Sequence, residues 1–594
     1  MYHEKSVKIP NVEGKIVRQQ QKKSIYVFFE IGREYNPEKK YNVAKRRIIG
    51  KVCNDDDSRM FPNENYFKLF PKEAAALRGI KQPKEPKEQS GVPVRSACLN
   101  AGSYIVVDRI ARSYGLDALL DRWFGDDGGL VLDLASYLIV EEDNAAQYYP
   151  DYAYNHPLFT EGMRVLSDSS VSRFLAGTTK DQVIGFLNDW NKGCNRKDRI
   201  YISYDSTNKN SQIGDVDIIE YGHPKDKKGL PIFNVGLAFD GSNKVPLFYE
   251  EYPGSVNDIS QLKYLVDKVA DYGYTNIGFI LDRGYFSKMN IQYMDAKGYQ
   301  FVIMAKGAKP LVSSIIESRR GTFEEDPDCQ IPGHRVFGTT VKAPLYADDG
   351  KPRYFHLYFN SQKYATERRH LEEKMAKLVT MLKASEGKVI DGGFGRQVTD
   401  YFTCYYDSED RFLMAEARKD VFAREMKLCG YFCLITSEEM DAREALYLYK
   451  GRDANEKLFR ADKSFLGSKS MRVHSDAAMS AKLFVEFIAL IIRNRIYNLL
   501  KEEMYRLKVR KNYMTVPAAI KELEKIEMVL RSGNTYRLDH ALTKTQKSIL
   551  QSFGIRQKDV RDAVSKIAEV LATQQRFKPE QDEWYGEDDC DDID

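Results

Sequence analysis

Three carboxylates stand where acids can do chemistry. Asp205 closes the alternating stretch "YISYD", Asp282 closes the continuous apolar stretch "NIGFILD", and Glu456 lies within "YKGRDANEKLFRADKS", residues 449–464. Acids at the ends of adjacent strands, joined by one from a packed helix, converge at the edge of a sheet, a common place for sites in α/β folds. Converging carboxylates repel one another unless cations neutralise them. All-oxygen clusters suit hard cations such as Mg2+ or Mn2+. Two such ions can activate water or a 3′-hydroxyl and stabilise the leaving oxygen of a phosphodiester. Each acid also has a plainer reading. Asp205 in "DSTN" fits an Asx turn, Asp282 in "DRG" a turn or a surface ion pair, and Glu456 a solvated helix position.

The stretch around Glu456 weighs against the plain readings. "DARE", residues 441–444, has the form of an Asp N-cap with Glu three residues later. In the helix that follows, Tyr449, Arg452, Glu456 and Lys463 fall at offsets 0, 3, 7 and 14. At about 100° per residue they project within about 60° of one another. Ala454, Leu458, Ala461 and Phe465 form a packing stripe roughly 140–220° away. One face therefore docks on a core and the other presents a carboxylate among cations. That is what a metal site acting on a phosphate backbone requires: the acid holds the ion and the cations hold phosphates. Gly451 costs about 1 kcal/mol inside a helix and is a point where the helix can break.

The elements that must position these residues follow from periodicity. "RIYISYD" alternates, with Ile200, Ile202 and Tyr204 on one face. "PIFNVGLAFD" and "KVPLFYEEY" flank the turn "DGSN", a hairpin signal. "DISQLKYLVDKVADYGY" reads as an amphipathic helix, "NIGFILD" as a central strand covered on both faces, and "GYQFVIMAKG" as another strand. The fold class is therefore α/β, a mixed sheet with a parallel core and an antiparallel hairpin. "GYFCLIT" (430–436) returns to a buried strand, and a dense apolar helix is expected over about 477–507. Its apolar run "LFVEFIALII" holds a Glu and is too short to span a bilayer.

A chain of 594 residues exceeds what one core usually supports. Its net charge of +4 hides an asymmetry: "PEQDEWYGEDDCDDID" carries nine acids and no base, leaving +13 on residues 1–578. A basic body is compatible with a polyanionic partner, and equally with an ordinary surface bearing a solubilising tail. Of the eight Cys only Cys429 and Cys433 are close, and no second pair completes a zinc spacing. The first residues lack the apolar core of a signal peptide, so a reducing cytoplasm is expected.

With these motifs in hand, the chain resembles the DDE transposases of bacterial insertion sequences, in particular the subgroup marked by Y-(2)-R-(3)-E-(6)-K. Tyr449, Arg452, Glu456 and Lys463 match that spacing without a gap; "YISYDSTN" resembles the segment of the first catalytic Asp and "FILDRGYFS" that of the second. "GHPKDKKGLPIFNVGLAFD" and "YPGSVNDIS" are similar to family segments between them. The resemblance implies a ribonuclease H-like catalytic core over 196–310 and 430–510, with a strand-rich insertion over 311–429. It implies Asp205, Asp282 and Glu456 as catalytic residues and ligands of two Mg2+ (or Mn2+) ions, with Tyr449, Arg452 and Lys463 on DNA-end phosphates.

Around that core are expected a strand-rich domain over 1–80 and a helical region over 95–195, both DNA-binding and joined by a linker over 81–94. A helical region over 511–578 and an acidic tail over 579–594 complete the chain. The implied function is that of a DNA transposase. It would bind the terminal inverted repeats of an insertion sequence and cut and paste by metal-dependent cleavage and strand transfer, as a homodimer on double-stranded DNA in the bacterial cytoplasm, associated with the nucleoid. Alternatives are a related metal-dependent nuclease without strand transfer and a catalytically silent, transposase-derived DNA-binding protein. An acid/base hydrolase with paired carboxylates gives no reason for the cation stripe.

Overall fold

The structure is a computed structural model that describes residues 2–70 and 95–574, apart from 13–14, 22–23, 37–40, 195–198, 212–215, 217, 223–229, 257, 306–309, 347–348, 391, 467–469, 472–474, 509–510 and 532–534. The expected linker over 81–94 and acidic tail over 579–594 lie outside the described residues. The described residues fall into two units.

The N-terminal unit is an antiparallel sheet of β1 (Val7–Lys8), β2 (Ile16–Gln21), β3 (Ser24–Asn36), β4 (Tyr41–Val52) and β5 (Arg59–Pro62), in the order β1-β5-β4-β3-β2. Helix α1 (Glu64–Leu69) follows, capped by the Asn63 side chain. Val27, Ile49, Met60 and Tyr66 form its core.

The second unit opens with β6 (Cys98–Asn100) and the helices α2 (Gly102–Tyr114), α3 (Leu116–Phe124), α4 (Gly128–Glu141), α5 (Tyr149–Asn155), α6 (Asp168–Gly177) and α7 (Lys180–Cys194). Then come β7 (Ile200–Ser211), β8 (Ile232–Asp240), β9 (Val245–Pro253), α8 (Asp258–Asp271), β10 (Ile277–Leu281), α9 (Lys288–Ala296) and β11 (Gln300–Met304). β7, β8 and β9 form an antiparallel meander, and β10 and β11 join β7 in parallel. Short apolar strands linked through helices give that parallel core.

The segment 311–429, expected as a strand-rich insertion, holds both strands and helices. After α10 (Pro310–Arg319), strands β12 (Gln330–Ile331), β13 (Val336–Pro344) and β14 (Pro352–Phe359) extend the central sheet itself. The reason is that buried Phe355, Leu357 and Tyr358 pair β14 with β17 (Tyr431–Thr436). The part that leaves the sheet is mostly helical: α11 (Ser361–Ala384), α12 (Gly392–Thr399) and α13 (Lys419–Leu428) around one hairpin, β15 (Phe402–Tyr406) and β16 (Phe412–Ala417). It has a small core of its own, including Leu371, Leu378, Leu382, Val398 and Phe412.

Beyond β17 lie α14 (Ala442–Lys450), α15 (Asp453–Phe465), β18 (Ser470–Met471) and α16 (Asp476–Leu507). The unit closes with α17 (Val516–Leu523), β19 (Glu527–Arg531), β20 (Thr535–Leu538), α18 (Lys544–Ser552) and α19 (Gln557–Gln574). The region expected to be helical over 511–578 also contains a hairpin, because β19 pairs with β6 as well as β20 and ties the two ends of the unit together. α16 is buried nearly all round between Leu483 and Ile492, and one apolar cluster runs through it from Leu99 to Leu571. The helical region over 95–195 is part of that core. Among the described residues no helix is long and apolar enough to cross a membrane.

Candidate active site

Parallel pairing of β7 with β10 sets the first two acids side by side. Ile277 is opposite Ile200 and Leu281 opposite Tyr204, so Asp282 leaves its strand one register step after that pair, level with Asp205. Asp205 does not end its strand as the alternation predicts. β7 runs on to Ser211, because Asp205 to Asn210 keep pairing with β8, Asp205 opposite Leu237. Asp282 does end β10: its side chain caps a short 3-10 turn, accepting from the Arg283 N–H at 2.7 Å.

The third acid comes from α15. The capping box predicted at Asp441 and Glu444 is formed in full and starts α14, whose Ala442, Leu446 and Tyr449 pack on Ile280, Val302 and Leu434 of the sheet. Asp441→Ala is expected to lower the urea-denaturation stability by about 1 kcal/mol, the usual cost of losing such a cap. An unchanged midpoint would show that the cap does not hold α14.

The stretch from Tyr449 to Lys463 breaks at the glycine where a break was allowed for, into two helices joined at Gly451 and Arg452. The joint tightens to three-residue spacing. The Arg452 N–H donates to Tyr449 O at 3.1 Å and the Asn455 N–H to Arg452 O at 2.9 Å. With three residues per turn, side chains at i and i+3 eclipse, which stacks the Arg452 guanidinium over the Tyr449 ring at 5.7 Å. A Cβ at position 451 would lie 2.9 Å from Leu448 O, so glycine suits this close turn.

Arg452 is the centre of the site. Its Nη1 lies 3.2 Å from Asp205 Oδ2 and 3.5 Å from Asp282 Oδ2, and its Nη2 lies 2.8 Å from Glu456 Oε1. The Tyr449 hydroxyl donates to Asp282 Oδ1 at 3.3 Å. The Arg452 side chain is 15% exposed and that of Glu456 54%, so the cluster opens to solvent on the Glu456 side. Burial works against the Arg452 charge, but Tyr449 and the three carboxylates outweigh it and raise its pKa. Burial, then the charge of Asp282, pushes the Tyr449 hydroxyl up, so it remains a proton donor.

Five of the six residues singled out by spacing are therefore together. Lys463 is half-buried, seven residues beyond Glu456 and about 10 Å farther along the axis at 1.5 Å per residue. Among the described residues no three acidic, His or Cys side chains are grouped closely enough to hold a metal ion as they stand. The guanidinium stands between the carboxylates instead. The donor set is nevertheless of the kind hard divalent ions take, all carboxylate oxygen, and it already converges on one cationic group.

Residues 206–492 match the family model of the transposase DDE domain. The match supports a DDE transposase. The matched segment starts one residue after Asp205 and contains Asp282, Tyr449, Arg452, Glu456 and Lys463. No curated protein matches the chain. Among solved structures, a cryo-EM structure of piggyBac transposase in a synaptic complex with hairpin DNA is similar over 72% of this chain and 67% of that one, at 9% identity and a TM-score of 0.31.

The transposase DDE segment also holds residues that spacing did not single out. Asn455 is fully buried and donates from Nδ2 to Ser203 O at 3.2 Å and Leu237 O at 2.9 Å, pinning the start of α15 to β7 and β8 beside Asp205. Lys209 on β7 lies buried between Asp462 of α15 and Glu486 of α16. The signal for that pair was visible as a Glu in the run "LFVEFIALII", since a charge inside an apolar helix needs a buried partner.

Proposed function

We propose that this chain is a DNA transposase of the Y-(2)-R-(3)-E-(6)-K subgroup of bacterial insertion-sequence DDE enzymes. On this reading it binds the terminal inverted repeats of its element, cleaves the ends and joins them to target DNA. The observation that carries the reading is the contact of one guanidinium, Arg452, with Asp205, Asp282 and Glu456, which come from a strand, a strand end and a helix far apart in sequence. The β7-β8-β9 meander with β10 and β11 in parallel supports a ribonuclease H-like core.

In this mechanism Asp205, Asp282 and Glu456 hold the divalent cations. Bound there, two such ions supply activation of the attacking oxygen and charge stabilisation at the leaving oxygen. Arg452 exchanges its carboxylate partners for DNA phosphate, where its planar fork binds two oxygens at once. The Tyr449 hydroxyl keeps its hydrogen bond to Asp282 and fixes that carboxylate. Lys463 adds a second phosphate contact on the same helix. The N-terminal sheet and the helices over 95–195 contribute DNA contacts, and two chains hold the two ends as a homodimer.

The test uses the purified chain with duplex DNA carrying the sequences that flank its own coding region, plus a supercoiled target plasmid and Mg2+. Cleavage at the element ends and joined products are expected. Excess EDTA abolishes both, and added Mg2+ or Mn2+ restores them. Cleavage without joining would reduce the reading to a nuclease. Binding without cleavage would leave a silent DNA-binding protein, and chelator-resistant cleavage would remove the metal mechanism.

A further inference from the structure

Behind the joint that carries Arg452 lies a cavity of about 550 Å³ between α15, α16 and the start of α17. Tyr449 and Arg452 turn toward the carboxylates, while their neighbours Lys450 and Gly451 line this cavity; Asp205, Asp282 and Glu456 do not. The stripe Ala454, Leu458, Ala461 and Phe465 forms one wall and so faces a cavity as well as core. The opposite wall is one face of α16, Leu490, Arg493, Tyr497 and Lys501, at helical spacing.

Arg493 is the unusual member. It is 7% exposed, and it makes no hydrogen bond or ion pair with any described residue. Its guanidinium lies 4.5 Å from the Phe465 ring centre. Buried charges are ordinarily paired, because desolvation without a partner is costly. Burial pulls the Arg493 pKa down to about 10, against a weak attraction from Glu142. Lys457 and Lys501 sit over the Tyr497 ring at 6.0 and 5.7 Å. Asn494 and Asn498 direct their amide groups to the carbonyl of Lys244 and leave their own carbonyl oxygens without a described hydrogen-bond partner.

A buried unpaired guanidinium calls for an anion. Aromatic rings and amide acceptors beside it call for a planar group with N–H donors. The volume is that of small-ligand sites, larger than a bare anion needs. We propose that this cavity binds a nucleotide, its phosphate on Arg493 with Lys457 and Lys501 at the mouth and its base against Tyr497 and Phe465. The nucleotide is either free or part of an unpaired DNA strand. The proposal is independent of the catalytic reading, since none of the three carboxylates lines the cavity.

The test measures binding of labelled dAMP by equilibrium dialysis, and of a fluorescent single strand of about 12 nucleotides by anisotropy, with the full-length chain. Arg493→Met is expected to weaken at least one of them by about tenfold or more and to lower its salt slope by about one. Arg493→Lys retains most of the binding. Lys457→Met, an exposed change that leaves the fold intact, gives a smaller loss in the same assay. Arg493-dependent binding of dAMP assigns a free nucleotide, and dependence confined to the oligonucleotide assigns a nucleotide of a strand. Orthophosphate competing as well as dAMP would overturn the base contact. Arg493→Met and Lys457→Met both binding as wild type would overturn the site. Asp205→Asn is expected to bind as wild type here, so this proposal and the catalytic reading fail separately.

Discussion

Asp205→Asn is expected to reduce DNA cleavage about a thousandfold or more while leaving the thermal unfolding transition nearly unchanged. The size follows from the role. On the proposed reading, ions held by the carboxylates would supply several kcal/mol of transition-state stabilisation, and each ~1.4 kcal/mol is tenfold in rate. The near-neutral effect on folding follows from geometry. Asparagine keeps the shape of the side chain, which is mostly buried, and the amide oxygen can still accept from Arg452 at the position of Oδ2, while the local bond from the Ser206 N–H to Oδ1 is lost. Arg452 retains Asp282 and Glu456, so no buried charge is stranded. On the proposed reading the variant removes one negative charge facing DNA phosphate, so binding to duplex DNA should be equal or tighter. Quantitative cleavage in Mg2+ with end-labelled substrate, alongside a binding isotherm at fixed salt, separates these effects. Cleavage by Asp205→Asn at the wild-type rate would overturn the assignment of Asp205.

The site was legible where the chain's local rules are strong. The alternation of "YISYD" and the apolar run "NIGFILD" place Asp205 on a strand and Asp282 at the end of one, and parallel pairing then leaves them level. The Asp441 capping box starts α14 at the expected residue. What was not legible depends on contacts between distant segments. β7 outruns its alternation because β8 supplies partners as far as Asn210. The phase of Tyr449 relative to Glu456 cannot be read from 100° per residue, because the Gly451 joint tightens to three residues per turn. The strands at 330–359 read as an insertion until β14 finds β17, more than 70 residues away. Nothing in the sequence marks Asn455, since its partners are backbone carbonyls of two strands.

The second large effect is expected at Lys209. Its Nζ lies 2.9 Å from Asp462 Oδ2 and 2.6 Å from Glu486 Oε2, and the three side chains are between 2% and 5% exposed. Lys209 is four residues from Asp205 on β7, hence on the same side of the strand, and Asp462 is six residues from Glu456 on α15. The cluster therefore locks the strand of the first acid to the helix of the third. Lys209→Met strands two buried carboxylates, and breaking a buried ion pair in this way costs about 3–5 kcal/mol. The pH dependence has a definite sign. In the wild type, burial already raises Asp462 to about 6 although Lys209 opposes it, so its contribution to stability falls as pH rises from about 4 through that value. Without Lys209 the Asp462 carboxyl is pushed up farther, and the variant should lose stability over a wider range toward neutral pH and regain it on acidification. Replacing all three groups with apolar side chains of similar size should recover much of the loss, because the desolvation cost of the ions disappears with them. Cleavage by the single variant, measured below its unfolding temperature, should fall as Glu456 loses its fixed distance from Asp205. Denaturation curves for both variants at pH 5 and pH 8 decide the matter: a Lys209→Met chain as stable as wild type at pH 8 would mean that the cluster does not carry the register between β7 and α15.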